Sequence, residues 1–480
     1  MSDEREDAAP GSGESKHKEV VGMFDGPLRP LFFRLAMPIF MGMIFNLLYT
    51  TVDTFFISTI DKSDPAIIGG TGLVFPVMFL AIALANGVMV GVSSLVSRAI
   101  GERNREVLNR VADSGLALAI FLGVIVVVAG YAFGDGLIAA MGATGDYAYY
   151  AARYFNWILP GLGMMIAVQV LIGVVQGEGL MKYMMITMVA GNVLNIILDP
   201  LFILDHVGPI PGLGLGVAGA ALATIIGQSL AALYLIWVFV SGRTSVPVAW
   251  SPKHIRLPIV GQIITVGLPN ALSQMLLAMS FLVVNRILIS IDPRSVTAAS
   301  LVGRMDQVVL MPIFALSAAL MTIVGQNVGR GLIPRARSAW RTGAVLASVG
   351  TLLGATLMVI IAPYIYRIFS SEPVVLSYTV RQTRTVEYSF FFAALAIMAR
   401  SVFQAMGRPW PGLIITALRM VGFVVPFILL FVYVLEWGIY GVWGGMIAGN
   451  ILGAAVSLGW VKVYWDRLVA GKAAYAHTRA

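Results

Sequence analysis

The chain contains no cysteine and few charged residues, and each scarcity removes a class of function. Without cysteine there can be no disulfide, no thiolate nucleophile and no cysteine-bound metal. Only 12% of the 480 residues are charged, compared with about 25% in a typical soluble domain. The four histidines lie scattered in tails and loops, at His17, His206, His254 and His477. A histidine metal centre is therefore not expected.

Apolar sequence is what the chain has in excess. Hydrophobic residues make up 58% of it. From Leu31 onward they form twelve runs, each with the ~20 residues that a helix needs to cross a bilayer. The sequence therefore predicts an all-α polytopic membrane protein with twelve transmembrane helices, embedded in a lipid bilayer. The predicted spans are 31–57, 67–97, 111–133, 149–175, 181–204, 215–240, 259–289, 297–326, 342–366, 386–406, 411–434 and 439–464.

Basic residues collect in the loops on one side of the predicted membrane. Loops 98–110, 177–182, 242–258, 329–341 and 407–411 carry thirteen Lys and Arg, against five on the opposite side. The positive-inside rule then places this side and both termini in the cytoplasm of a multi-pass protein of the plasma (inner) membrane. The net charge of +8 reflects this topology, and no nucleic-acid partner is expected.

The second half of the chain repeats the first. The matched pairs are Pro38 with Pro269, Gly101 with Gly329, and Gly216-Val-Ala-Gly219 with Gly441-Val-Trp-Gly444, at offsets of 231, 228 and 225. Ordered matches at a nearly constant offset indicate a duplication. Because each unit has an even number of spans, the halves share one orientation and enclose a cavity near the midplane.

This repeat divides the chain into five parts. Residues 1–30 are polar and charged, which predicts a disordered cytoplasmic tail, and no secretory signal is expected there. The other parts are a six-helix lobe at 31–241, a cytoplasmic linker at 242–258, a second six-helix lobe at 259–465 and a cytoplasmic tail at 466–480.

The predicted fifth span carries an acid and two amides on one face. Asn192, Asn195 and Asp199 lie at positions i, i+3 and i+7. A charge near the centre of a span costs at least ~2.5 kcal/mol. Asp199 therefore marks either an ion path or a hydrogen-bond clamp between helices in which the acid stays protonated. A second acid of this kind, Asp53 in the first span, favours the ion path.

Further polar positions stand on apolar helices. They are Asn46, Thr50 and Asp53 in the first span, Gln169 in the fourth, and Thr224 and Gln228 in the sixth. If these faces converge, two carboxylates share a pocket ringed by amides and hydroxyls. Burial and a neighbouring like charge disfavour ionisation, so such a pair can carry a proton. Its oxygens can equally hold Na⁺. No cofactor and no other metal is expected.

These residues receive two predicted roles. Ion coupling is assigned to Asp53, Asp199, Asn195, Asn192 and Thr224. Substrate binding is assigned to Asn46, Gln169, Thr50, Gln228 and Met275. Methionines suit a promiscuous apolar pocket, although at helical spacing they serve equally as packing.

Over residues 30–465 the chain resembles the multidrug and toxic compound extrusion (MATE) family. The motifs that carry the resemblance are Pro38 with Asp53, Asn195 to Asp199-Pro200, Gly214-Leu-Gly-Val-Ala-Gly-Ala-Ala-Leu-Ala-Thr224, and Ile323-Val-Gly-Gln-Asn-Val-Gly-Arg-Gly331. The resemblance implies two six-helix bundles in a V, alternating access, and export of amphipathic, often cationic small molecules against inward flow of H⁺ or Na⁺. We also expect the protein to be a monomer, and a transporter and not an enzyme.

Within that family, Asp53 and Asp199 resemble the ion-coupling pair of the DNA-damage-inducible (DinF-like) branch. A different branch uses acids in the seventh and tenth spans. Here the seventh span has amides but no acid, and Glu387 is expected near the outer end of the tenth span. The comparison predicts that coupling occurs in the first lobe.

Prolines inside two predicted spans bear on the mechanism. Pro38 and Pro269 each remove a helical hydrogen bond and bend the helix. Each is either a hinge that moves during transport or a static kink.

The basic residues of the second lobe leave another function open. Arg286, Arg304, Arg400 and Arg419 could bind anionic substrate groups, or they could snorkel and pair with Asp306 or Glu387. The first case favours a flippase or exporter of a lipid-linked or anionic metabolite. A membrane-embedded enzyme is disfavoured because the sequence has no cluster of catalytic groups and no phosphate-binding glycine loop.

Overall fold

The computed structural model describes residues 22–60, 65–249 and 251–478, and these are mostly helical. Within these ranges, twelve helical segments are long and apolar enough to cross a membrane, as predicted. We number them as spans 1 to 12. Their bounds are Leu28–Thr59, Ala66–Glu102, Arg105–Ala140, Gly145–Glu178, Met181–Ile203, Val217–Val240, Leu257–Ile291, Pro293–Gly329, Ile333–Phe369, Pro373–Ala405, Trp410–Val434 and Ile439–Val469.

Three spans are interrupted, and short elements connect others. Span 2 consists of helices Pro65–Leu73 and Phe75–Glu102, and span 10 of Pro373–Val386 and Phe390–Ala405 joined by a 3₁₀ turn at Glu387–Ser389. Span 11 alternates α-helix at Trp410–Ala417 and Val425–Leu429 with π-helix at Leu418–Val424 and Leu430–Val434. Strands His206–Val207 and Ile210–Pro211 form a hairpin after span 5, and Pro252–His254 is a 3₁₀ turn in the linker.

Several helices extend beyond the apolar runs that predicted them. Span 3 was expected at 111–133 but covers Arg105–Ala140. Its start is set by Asn104, which caps the helix by accepting a hydrogen bond from the Val107 amide at 3.2 Å. Span 10 was expected to begin at 386 but begins at Pro373. Hydropathy locates the part of a helix that lies in lipid, and polar turns continue the helix without that signal.

Described residues of both predicted tails, 22–30 and 466–478, pack against the protein, although residues 1–30 were predicted to be disordered. Residues 1–21 lie outside the described ranges, but Met23 and Phe24 are buried in the main core. Arg335 fixes this segment by donating hydrogen bonds to the Met23 and Gly26 carbonyl oxygens at 3.3 and 2.6 Å. Two hydrophobic side chains thus anchor a segment whose composition is otherwise polar.

The C-terminal segment also packs against the protein. The Ala476 amide donates to the Met406 carbonyl at 3.0 Å, and the Thr478 amide donates to the Glu102 carboxylate at 3.2 Å. The last described residues therefore cross from the second lobe to the first. Residues 479 and 480 lie outside the described ranges.

The linker 242–258 lies along the end of the first lobe. Glu178, at the end of span 4, accepts hydrogen bonds from the Ser245 and Val246 amides at 2.7 and 3.1 Å. Further along, His254 contacts Asp113 of span 3 at 3.1 Å. We call the end of the molecule that carries this linker and the C-terminal segment the base.

In the half of the molecule nearest the base, glycines allow helix backbones of the two lobes to contact each other. A Cβ atom at Gly87 of span 2 would lie 2.7 Å from the Gly267 carbonyl oxygen of span 7, and one at Gly267 would lie 2.6 Å from the Gly87 carbonyl. Gly101 of span 2 and Gly329 of span 8, which the repeat pairs with each other, are also in close contact: a Cβ atom at Gly101 would lie 2.9 Å from the Gly329 Cα atom. Equivalent residues of the two halves thus meet between the lobes.

The hydrophobic core divides away from the base. One cluster combines residues of both lobes, including Val92 and Val96 of span 2 and Leu320 and Val324 of span 8. Beyond it, one cluster around Phe155 belongs to the first lobe alone. Separate clusters belong to the second lobe. The lobes are joined at the base and separate above it, which is the V expected from the resemblance.

Substitution at the glycine contact tests this junction. We expect Gly267→Ala to lower the midpoint of thermal unfolding of the purified protein, because the added methyl would displace the Gly87 backbone. Overpacking of this kind costs about 1–3 kcal/mol. The matched control is Gly261→Ala on the same helix, where no atom outside the helix lies within 4 Å. Equal midpoints for the two variants would contradict the described contact.

Candidate functional site

Asp199 lies in the half of span 5 away from the base and is fully buried. With the Asn195 amide oriented to satisfy both of its ends, its nitrogen donates to Asp199 Oδ2 at 2.8 Å and its oxygen accepts from Thr224 N at 2.9 Å. Asn195 is one helical turn before Asp199, so local helix geometry brings the amide to the carboxylate. Two of the three residues of the predicted face of span 5, Asn195 and Asp199, are therefore joined, and they contact span 6 through Thr224.

Asp53 of span 1 completes an acid pair with Asp199. The two carboxylates are close enough to repel each other electrostatically. The Oδ1 atom of Asp53 is buried and has no hydrogen-bond partner among the described residues. An unpaired buried acceptor beside a second carboxylate is costly unless a cation or proton satisfies it.

Two tyrosines that the sequence analysis did not select complete the surroundings. The Tyr49 hydroxyl lies 3.3 Å from the Thr224 hydroxyl, and Tyr49 interacts electrostatically with both Asp53 and Asp199. The buried Tyr154 of span 4 also lies within electrostatic range of both acids. Tyr49 precedes Asp53 by one turn and could have been found from that spacing, whereas no local pattern points to Tyr154.

Other predicted residues lie outside this network. Asn192 is half-buried on span 5, and its Nδ2 atom has no partner among the described residues. Gln169 donates to Asn86 of span 2 at 3.0 Å, so it links spans 4 and 2. Thr50 is exposed and donates to the Asn46 carbonyl of its own helix at 2.9 Å.

The remaining predicted positions are dispersed. Asn46 is exposed on span 1, Gln228 is half-buried on span 6, and Met275 is half-buried on span 7 of the other lobe. Both prolines are internal to their helices, with Pro38 half-buried in span 1 and Pro269 buried in span 7. Pro269 is two residues from the Gly267 contact between the lobes.

A second acid pair lies in the second lobe. Glu387 is only 1% exposed, and its carboxyl is within hydrogen-bonding range of Asp306 of span 8. The expectation that Glu387 lies near the end of span 10 was wrong, because the span begins at Pro373 and Glu387 occupies the turn inside it. Pairing with Asp306 or Glu387 was one of two roles left open for the second-lobe arginines; among the described residues the two acids contact each other instead.

In chemical terms, the groups of the first-lobe pair suit a single cation. Two carboxylates with an amide, a hydroxyl and a phenol around them can bind a proton, or they can supply hard oxygen ligands to Na⁺. Among the described residues there is no group of three or more His, Cys, Asp or Glu side chains of the kind that holds a transition metal.

Comparison with known proteins identifies the family. The sequence profile of the MatE family matches residues 38–201 and 269–430, once in each lobe. The chain belongs to this family. Its members are transporters and not enzymes. The two matches begin at Pro38 and Pro269, so they also reproduce the internal repeat. The DinF-like branch stays a prediction.

Individual relatives span nearly the whole chain. A probable multidrug resistance protein NorM from Thermotoga maritima is 26% identical over 90% of this chain and 91% of its own length. An FAD transporter from Shewanella oneidensis is 25% identical, over 85% and 89% of the two chains. The structure of a multidrug resistance MATE family transporter of the MOP superfamily in an outward-facing conformation has a TM-score of 0.87 at 28% identity, covering 94% of this chain and 98% of that one.

Proposed function

We propose that this MatE protein is a secondary active multidrug exporter, which moves amphipathic, often cationic organic compounds out of the cell in exchange for H⁺ or Na⁺. Membership of the family and the relative named for multidrug resistance support this role. The basic loops support a plasma-membrane protein whose base and termini are cytoplasmic. With this orientation, the V opens away from the cytoplasm. We propose that it works as a monomer.

The observation that carries the coupling proposal is the Asp53–Asp199 pair. A cation bound between the carboxylates removes their repulsion and satisfies the unpaired Asp53 Oδ1. Asp53 stands on span 1, and Asp199 stands on span 5. Binding or loss of the cation therefore changes the force between these helices. Such a change favours one arrangement of spans 1 and 5 when the cation is bound and another when it is absent, which shifts the balance between two conformations of the protein.

Pro38 is the point at which span 1 can bend when the cation binds or leaves. Span 1 packs closely against span 5 in the first lobe and against span 8 at the base. Because the internal proline lacks one helical hydrogen bond, the segment beyond it can tilt at lower cost. Cation binding at Asp53 then draws span 1 toward span 5, which narrows the space between these helices and dislodges substrate.

Efflux from cells tests the coupling site. We expect Asp53→Asn and Asp199→Asn each to abolish ethidium efflux while leaving membrane insertion intact. An asparagine amide has no negative charge with which to bind and release the coupling cation. Glu387→Gln is the matched acid control in the other lobe and should retain efflux. Sodium-free buffer and a protonophore, applied to the wild type, distinguish Na⁺ from H⁺ as the coupling ion.

The outcomes separate the alternatives. Efflux that survives in both aspartate variants but is lost in Glu387→Gln would move coupling to the second lobe. Absence of efflux by the wild type would remove the multidrug role itself.

The hinge is tested by Pro38→Ala. We expect this variant to insert normally but to export ethidium at a fraction of the wild-type rate, since a regular helix resists bending. Protein level in the membrane is measured in parallel with the efflux rate. Wild-type efflux by Pro38→Ala would show that the proline is a static kink.

A further inference from the structure

The second lobe contains a partly open cavity that the proposed coupling mechanism does not use. Spans 7, 8, 10, 11 and 12 surround a cavity of about 220 Å³. Its walls are mostly aliphatic and aromatic, with Phe281, Phe314 and Phe390 among them. Its polar lining includes Arg400, Arg419 and Asn450.

Two glycines make room for the arginine side chains. A Cβ atom at Gly412 of span 11 would lie 2.8 Å from Arg400 Cγ. One at Gly453 of span 12 would lie 2.9 Å from both the Cβ and Cδ atoms of Arg419. The arginine stems therefore lie flat against neighbouring helices where a larger residue would block them. This packing fixes the position of each guanidinium at the cavity wall.

Neither guanidinium is neutralised by the protein. Among the described residues, no hydrogen bond or ion pair joins Arg400 or Arg419 to another side chain or to the backbone, and Arg400 Nε is buried without a partner. The two guanidiniums are instead close enough to repel each other. The buried acids of the same lobe, Asp306 and Glu387, contact each other, and neither acts electrostatically on Arg400 or Arg419.

Such an arrangement is costly unless something else supplies negative charge. Arg400 and Arg419 are half-buried, and two unpaired like charges in one largely apolar cavity carry both a desolvation cost and mutual repulsion. Arginine keeps its charge and presents a planar fork that matches a carboxylate, sulfonate or phosphate. Asn450 already donates to Ser389 at 3.0 Å, which orients its amide at the same wall.

We propose that this cavity binds the anionic head group of an amphipathic small molecule, held by Arg400 and Arg419 with its apolar body among the phenylalanines. The inference rests on the proposed export function, and it extends the substrate range from cations to anions bound in the opposite lobe. The cavity is smaller than the roughly 300–1,000 Å³ of sites for drug-sized ligands. A compact ligand, or the head of a longer one, therefore fits.

Equilibrium binding to the purified full-length protein in lipid nanodiscs tests the site. The probes are 2-naphthoate and 2-naphthylmethylammonium, which share an apolar body and differ in charge, and empty nanodiscs correct for partition into lipid. We expect the wild type to bind the anion at least tenfold more tightly than the cation. Arg400→Gln and Arg419→Gln should each weaken naphthoate binding about tenfold or more, as expected for loss of a charged hydrogen bond.

The matched control is Arg304→Gln, which removes an exposed arginine of the same lobe that does not line the cavity. It should leave naphthoate binding unchanged. If the glutamine variants fail to fold, the preference of the wild type for the anion decides the question. Equal binding of the two probes, or an equal loss in all three variants, would overturn the proposal.

Failure of this inference can be told from failure of the export function. A wild type that exports ethidium but shows no preference for naphthoate retains the proposed function and loses the anion site. A wild type that binds naphthoate through Arg400 and Arg419 but exports no ethidium keeps the site and loses the multidrug role.

Discussion

Backbone contact at glycine is the constraint on which the arrangement of the two lobes depends. Between apolar helices in lipid, the hydrophobic effect gives little attraction, and close packing must supply it. Gly87 against Gly267, and Gly101 against Gly329, bring helix backbones together only in the base half. Above that level the lobes have separate cores. The separation of the lobes follows from the end of these glycine contacts between them.

Within this frame, the polar groups of the spans fall into two kinds. Some are satisfied by neighbours, such as the Asn195 amide that joins Asp199 to Thr224. Others stay unpaired although buried, notably Asp53 Oδ1 in one lobe and Arg400 Nε in the other. In a bilayer the second kind is expensive. The first lobe thus carries an unpaired carboxylate oxygen beside a second acid, whereas the second lobe carries two unpaired arginines in addition to its own acid pair, Asp306 and Glu387.

Much of this could be predicted from the sequence, because the decisive signals are local. Twelve apolar runs predict the spans, and the spacing of Asn195 and Asp199 within one helix predicts that they touch. The position of Glu387 could not be predicted, since it depends on a polar helix start at Pro373 and a 3₁₀ turn inside the span. The contact of Glu387 with Asp306 depends on packing between helices, which periodicity does not encode. For the same reason Tyr154 was missed.

The central claim is that the Asp53–Asp199 pair exchanges the ion that drives export. Its most direct test is ion movement driven by substrate in liposomes that contain only the purified protein. With an ethidium gradient imposed, internal pH and sodium dyes should report one ion moving opposite to ethidium for the wild type. No such movement should occur for Asp199→Asn, even though the variant still binds ethidium. Ion movement at the wild-type rate in Asp199→Asn would contradict the account and place coupling elsewhere in the protein.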